Sequence, residues 1–283
     1  MTIYALLDYD GYICKAFWAS HSKKGSDKNE YELLDTLTTS AIEKAADLFG
    51  VSVDEVKPVK VVSGHSWKKD CFSDYKAKRK RNEELGIFRD EIIANDGDII
   101  KMEQLEADEI IILLKNYLDY RYCNNIIFSD DKDLRYYADL YCKINLAEEI
   151  EEVNINDNIK NRYAQMLAGD KEDNITGIPK VGMVTASKLL DNVLSNREIK
   201  IPSLSDIIKI YKEKKVPYQD CIEQLALIIP VGMIDELNCQ DEIDMLCESA
   251  INNEAHLLDD SIIQCIIENT LNTIKDKVDL IYG

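Results

Sequence analysis

Residues 169–190 read GDKEDNITGIPKVGMVTASKLL. Asp170 and Asp173 stand just ahead of a turn holding Gly177, Pro179 and Gly182, and residues 184–190 then continue as an apolar helix. Glycine carries no Cβ and proline fixes its own φ, so such a turn lets the backbone come close to another group. The unpaired amides at the start of the helix point to the same place, a geometry suited to phosphate. The two carboxylates suit a metal ion. Together they make one half of a phosphate-handling site, and the rest of the chain must supply the other half.

Upstream, carboxylates recur at the ends of structural elements. Residues 2–7 form a short apolar run that ends in Asp8-Tyr9-Asp10-Gly11, as a buried strand of an α/β sheet ends in a functional loop at its carboxyl end. Residues 31–49 show helical spacing through Leu33, Leu34, Leu37, Ile42, Ala45 and Leu48, and 59–62 form a second strand. Glu106-Ala107-Asp108-Glu109 opens an apolar helix over 110–118. A third strand, 125–128, ends in SDDKDL at 129–134, and 141–146 forms a fourth before a helix at 159–167. Each acidic group has a plain structural alternative, a helix-dipole partner at 106–109 or a turn at 129–134. Their recurrence at one kind of place makes coincidence the weaker account. From residue 192 onward the pattern is helical, interrupted by Pro202, Pro217 and Pro230, and carries no motif.

A chain of 283 residues holds a full core, as one large domain or as a catalytic domain with a helical appendage. No apolar run is long enough to span a membrane, and the N-terminus lacks a signal peptide's basic region. Eight scattered cysteines point to reduced, buried thiols in a cytosolic protein, with Cys14 and Cys71 in the core. A net charge of −19 speaks against a nucleic-acid partner, and the run 148–152 reads as a solvated helix face. The stretch 67–89, WKKDCFSDYKAKRKRNEELGIFR, reverses that sign, with about two basic residues for each acidic one. Lys76, Arg79 and Lys80 share a face if the segment is helical. Snorkelling side chains on an exposed helix are the alternative, but the interleaved Trp67, Phe72 and Tyr75 favour a phosphate-facing role. Carboxylate ligands without His or Cys suit Mg²⁺ or Mn²⁺. Two such ions about 4 Å apart activate a water and stabilise a leaving oxygen in phosphodiester cleavage.

The order DYDGYICKAFWA, WKKDCFSDYKAKR, LEADEIIILL, FSDDKDL and GDKEDNITGIPKVGMVTASKLL resembles the 5′-nuclease family of flap endonucleases and 5′→3′ exonucleases, with the basic segment most similar to phage-type RNase H enzymes. The resemblance covers roughly residues 1–195. It implies an α/β fold with a mixed, mainly parallel central sheet flanked by helices, a PIN-like nuclease core. It also implies a helical arch over the site and a helix-hairpin that grips duplex. On that basis residues 1–165 form the core, including a basic arch at 67–98, and 166–283 a helical region with the hairpin at 169–190. The implied metal ligands are Asp8, Glu106, Asp108, Glu109, Asp131, Asp133, Asp170 and Asp173, with Asp10 a neighbour, and the implied cofactor is two or more Mg²⁺ or Mn²⁺ ions. Lys76 and Arg79 match the basic pair that polarises the scissile phosphate. Lys68, Lys69, Lys80, Gly177, Lys180, Gly182 and Thr185 join them as DNA contacts, with K⁺ held at the hairpin. The implied activity is hydrolysis at 5′ flaps and ends of DNA and RNA:DNA, as in primer removal. The implied setting is a monomer in a bacterial or phage-infected cytoplasm, with replication proteins as further partners and no membrane.

Two departures stand out. An Asp usual after the second strand is replaced in VVSGHSW by Ser63 or Gly64, and Val184 stands where the hairpin helix usually carries Lys, leaving Lys180 or Lys188 for that contact. The missing Asp also suits a catalytically silent protein that binds branched DNA. DYDG and GDKED allow a haloacid-dehalogenase-type phosphatase, but only two residues separate Asp170 from Asp173, too few for that family.

Overall fold

The computed structural model describes residues 2–22, 28–80, 82–147, 149–195, 197, 201–233, 238–254 and 260–283. Arg81 of the basic stretch and Glu148 of the acidic run lie outside the described residues. The chain forms two compact units. The first comprises Met1–Ser66, Lys80–Val153 and Leu246–Leu258, the second Trp67–Arg79, Asn154–Met245 and Asp259–Gly283. Residues 67–79, expected with the nuclease core, thus count with the second unit.

The first unit is built on a sheet of order β3-β2-β1-β4-β5-β6. Its strands are β1 (Ile3–Asp8), β2 (Val56–Ser66), β3 (Ile99–Gln104), β4 (Asn125–Phe128), β5 (Leu140–Cys142) and β6 (Glu151–Glu152). All neighbours pair in parallel except β5 with β6. Central β1 is covered on both faces, so IYALLD reads as a continuous apolar run and not as an alternation. Ala5 and Leu7 pack with α1 (Tyr9–Ser20) and α2 (Glu30–Phe49) through Tyr12, Ile13, Ala16, Leu34 and Ala41. Between the helices α3 (Trp67–Cys71) and α4 (Glu83–Asn95) the described residues form turns without regular structure. The helix α5 (Ala107–Tyr120) packs on β1, β2 and β4, and its Ile110–Leu114 run is buried all round. A one-turn helix, α6 (Lys132–Arg135), follows β4.

The second unit is helical. α7 (Ile155–Ala168) packs against α8 (Met183–Leu194), α9 (Leu204–Glu213) and α10 (Tyr218–Ile228), and the latter two lie on α12 (Asp260–Tyr282). The helix α11 (Gln240–Ile251) is divided between the units, its residues up to Met245 counting with the second and those from Leu246 with the first. The prolines mark helix ends. Pro202 precedes the Ser203 cap of α9, Pro217 is itself the N-cap of α10, and Pro230 follows α10.

Four local expectations are corrected. Asp8 caps α1 directly, so Tyr9, Asp10 and Gly11 form its first turn and not a loop. The basic stretch is not a helix at Lys76, whose φ of 54° is left-handed. Glu151 and Glu152 form an exposed edge strand instead of a helix face. Cys71 is exposed and Cys14 half-buried, whereas Cys142, Cys221, Cys239 and Cys247 are buried, and all eight thiols are free.

Candidate active site

The strand order switches direction between β1 and β4, where an α/β sheet opens a crevice at the carboxyl ends of its strands. Asp8 ends β1 there, and Ser129 follows β4. The Ser129 hydroxyl donates to Asp8 Oδ2 at 2.6 Å and accepts from the Asp131 amide at 2.9 Å, which ties the two strand ends together. Asp131 caps α6 and accepts from the Asp133 amide at 2.8 Å. The Tyr141 hydroxyl, 2.5 Å from Ser129 O, braces this loop from β5. Lys15 pairs with Asp130 at 2.8 Å, so Asp130 is used within the protein.

Asp8 titrates abnormally. Burial, reinforced by the charges of Asp10 and Asp131, pushes its carboxyl up to about 6, against the hydrogen bonds from Ser129 and Gly11. Asp10 and Asp131 both press on Asp8, and Asp8 with Asp131 offers oxygen donors alone, which fits a hard divalent cation in kind, since a cation relieves that repulsion. Among the described residues no three Asp, Glu, His or Cys side chains close a cage around an ion.

The end of β2 forms a second anchor. Its pairing with β3 slips between Ser63 and Ser66, and the Gly64 amide donates to Leu105 O. A Cβ on Gly64 would lie 2.0 Å from Met102 O, so no carboxylate side chain fits at 64. Ser63 serves instead as a three-way tie. Its amide donates to Asp10 Oδ2 at 2.8 Å, its carbonyl accepts from Arg89 at 2.6 Å, and its hydroxyl accepts from the Ala107 amide at 3.0 Å. Arg89 also donates from Nε to Asp10 Oδ1 at 2.6 Å. Glu106 and Glu109 are buried, and Glu109 Oε2 accepts from the Glu106 amide at 3.2 Å. Glu109, expected as a ligand, closes a capping box through Oε2.

In the second unit Asp173 lies with the basic pair. Its carboxylate accepts from Arg79, sits 3.6 Å from Lys76 Nζ, and its carbonyl accepts from the Lys76 amide. Two roles that the resemblance assigns separately, metal ligand and phosphate contact, thus meet in one ion-paired group. Asp170 is buried and accepts from the Glu172 amide at 2.8 Å, while its own backbone bridges to Ile175. Gly169 and Gly177 pack back to back with φ of 74° and 65°, and a Cβ on Gly177 would lie 2.3 Å from Ala168 C. The close approach at Gly177 is therefore to the chain itself, and its amide donates to Gln224 Oε1 at 2.9 Å. This corrects the expected DNA contact at Gly177. Lys180, Gly182 and Thr185 are exposed at the start of α8.

Lys68 is corrected too. It is 4% exposed, with Nζ 5.8 Å from the Tyr75 ring centroid and 6.0 Å from that of Trp67, which removes it from any phosphate-facing surface. Lys69 is half-buried, and Arg79 and Lys80 are exposed. The sequence reading missed Ser129, the Ser63 hydroxyl, Gln224 and Arg89. Ser129 carried a signal, a hydroxyl beside two strand-end aspartates. Arg89 carried none, because its partner Asp10 lies 79 residues away in the chain.

This sheet with its flanking helices has the fold of the T5 5′-exonuclease structures. The bacteriophage T5 D15 protein co-crystallised with metal ions superposes with a TM-score of 0.58 at 13% identity, over 98% of this chain and 99% of that one. The complex of T5 D15 flap endonuclease with DNA and metal ions gives 0.54 at 13% identity, over 95% and 99%. By sequence, the chain is 29% identical over 183 residues to a 5′-3′ exonuclease of Mycoplasmopsis pulmonis, covering 58% of this chain and 60% of that one. It is 26% identical over 155 residues to DNA polymerase I of Caldicellulosiruptor bescii, covering 48% of this chain and 18% of the polymerase. The match thus spans less than two thirds of each relative. No family model matches the chain.

Proposed function

We propose that this chain is a divalent-metal-dependent 5′ nuclease that hydrolyses phosphodiester bonds at the 5′ ends and flaps of DNA and RNA:DNA. The observation that carries the reading is the group Asp8–Ser129–Asp131 at the switch point of a T5-exonuclease fold, where like charges pressing on the desolvated Asp8 call for a cation. Asp8, Asp131, Asp133, Glu106 and Asp108 are the residues proposed to hold Mg²⁺ or Mn²⁺, and Asp170 and Asp173 those proposed for a further ion. Divalent ions there supply a water of lowered pKa and positive charge for the phosphate.

The chain's own residues do the rest. Ser129 orients Asp8 by donating to Oδ2, while Oδ1 accepts a long contact from the Gly11 amide, 3.4 Å. Lys76 and Arg79, paired with Asp173, would turn to a substrate phosphate, and Asp173 would then be one of the carboxylates able to hold a cation. Electrostatic stabilisation by such fixed cations is the main catalytic term expected of them. Duplex is held by the exposed first turn of α8 and by Lys180. A cytoplasmic setting agrees with the free thiols, and no described helix is long and apolar enough to cross a membrane. The T5 complex with DNA and metal ions supports the substrate class.

The test uses 5′-labelled flap, nicked duplex and RNA:DNA, each with Mg²⁺ and with EDTA. Mg²⁺-dependent release of short 5′ products is expected from the wild type. Asp131→Asn should abolish cleavage and leave flap binding near the wild-type value. Retained turnover in Asp131→Asn would remove Asp131 from the site. Binding of flaps without cleavage by the wild type would leave a silent branched-DNA-binding protein as the better account.

A further inference from the structure

Arg89, at the end of the basic stretch 67–89, turns inward to a carboxylate two residues from Asp8. It sits on α4, and its guanidinium bridges α1 and β2 by donating to Asp10 Oδ1 and to Ser63 O, each at 2.6 Å. Both oxygens of Asp10 are thereby engaged, Oδ1 by Arg89 and Oδ2 by the Ser63 amide. The pair is largely shielded, with side-chain exposures of 25% and 28%, and Asp90 lies 3.8 Å from the guanidinium on its outer side. Through the Ser63 hydroxyl the same tie reaches the Ala107 amide, at the first turn of the helix that carries Glu106 and Asp108. Removing one partner of a shielded charge pair leaves the other uncompensated.

We propose that Arg89 is a positioning residue of the carboxylate centre: it holds Asp10 out of the cation site as a neutral pair and locks the end of β2 under the first turn of α5. Asp10, two residues from Asp8, is then a strut and not a ligand. A two-armed guanidinium suits this task, because one planar group reaches a carboxylate and a carbonyl together. The inference rests on the nuclease reading for its rate measurement alone.

The test titrates Mn²⁺ into the full chain by electron paramagnetic resonance, follows thermal unfolding, and measures single-turnover cleavage of a 5′ flap. Arg89→Gln leaves Asp10 uncompensated, so Mn²⁺ should bind roughly tenfold more tightly, while cleavage slows about 10- to 100-fold as the supporting shell loosens. Asp10→Asn should keep the wild-type number of bound ions. The double variant Asp10→Asn/Arg89→Gln should return Mn²⁺ affinity to the wild-type value even where Arg89→Gln alone folds poorly. Arg89→Lys should keep the affinity and lose rate.

A merely structural Arg89 would lower the unfolding temperature without moving Mn²⁺ affinity. That result, or loss of a bound ion in Asp10→Asn, overturns the proposal, as does an Arg89→Lys variant with the full wild-type rate. A wild type that binds Mn²⁺ with the expected changes across the variants but cuts no substrate upholds the ion-site role of Arg89 and removes the nuclease reading instead.

Discussion

Asp8 shows how placement sets chemistry. Its carboxyl is desolvated at the end of a central strand and faces Asp10 and Asp131, so its folded-state pKa stands at about 6, above the ordinary Asp value of about 4. Between those two values the folded chain binds more protons than the unfolded one. Its contribution to stability therefore falls as pH rises through that window, the reverse of the usual ion-paired carboxylate. In EDTA, wild type should lose stability relative to Asp8→Asn between pH about 4 and about 6, with the variant the more stable at pH 7. Mg²⁺ should restore much of the loss in wild type and little in the variant. Parallel stability curves for the two chains, followed by urea unfolding at each pH, would show that Asp8 is hydrated like any surface carboxylate.

The glycines of the turn between α7 and α8 suggest, in sequence, room for a ligand, and the structure separates them. Gly177 makes room for Gly169 and Ala168, whereas a Cβ on Gly182 meets nothing within 4 Å. Gly177→Ala should therefore cost about 2–3 kcal/mol, from a left-handed φ combined with a backbone clash. Gly182→Ala should stay within about 0.5 kcal/mol, both read by urea unfolding. An equal small effect at both positions would mean that the turn relaxes freely. The same segment shows what was legible. The helix over 110–118 and the strand at 125–128 stand out in the sequence because their apolar residues face a core on most sides, and 159–167 stands out by the helical spacing of Ile159, Tyr163, Met166 and Leu167. β3 was missed because IIKMEQ, at the sheet edge, mixes charged and apolar residues in a short run. α1 was missed because DYDG has loop chemistry, although Asp8 is a helix cap. The acidic positions were legible one by one. Their partners Ser63, Arg89 and Ser129 were not, because pairing across a fold leaves no local pattern.

On the proposed function, a chain of net charge −19 has to meet nucleic acid through few cations, so which lysines face outward matters more than how many there are. Lys180, on the exposed turn before α8, and Lys68, enclosed by Trp67 and Tyr75, make the contrast within one unit. Each phosphate contact releases counterions and adds close to one to the slope of log affinity against log salt. Lys180→Ala should then weaken duplex binding and reduce that slope by about 1, with the unfolding temperature unchanged. Lys68→Ala should do the opposite, lowering the unfolding temperature through lost packing and cation–π contact while leaving the slope alone. Fluorescence anisotropy with a 5′-flap duplex in Ca²⁺, repeated across a salt series, measures both. A slope reduced by Lys68→Ala and not by Lys180→Ala would move the duplex contact away from the start of α8 and back to the basic stretch.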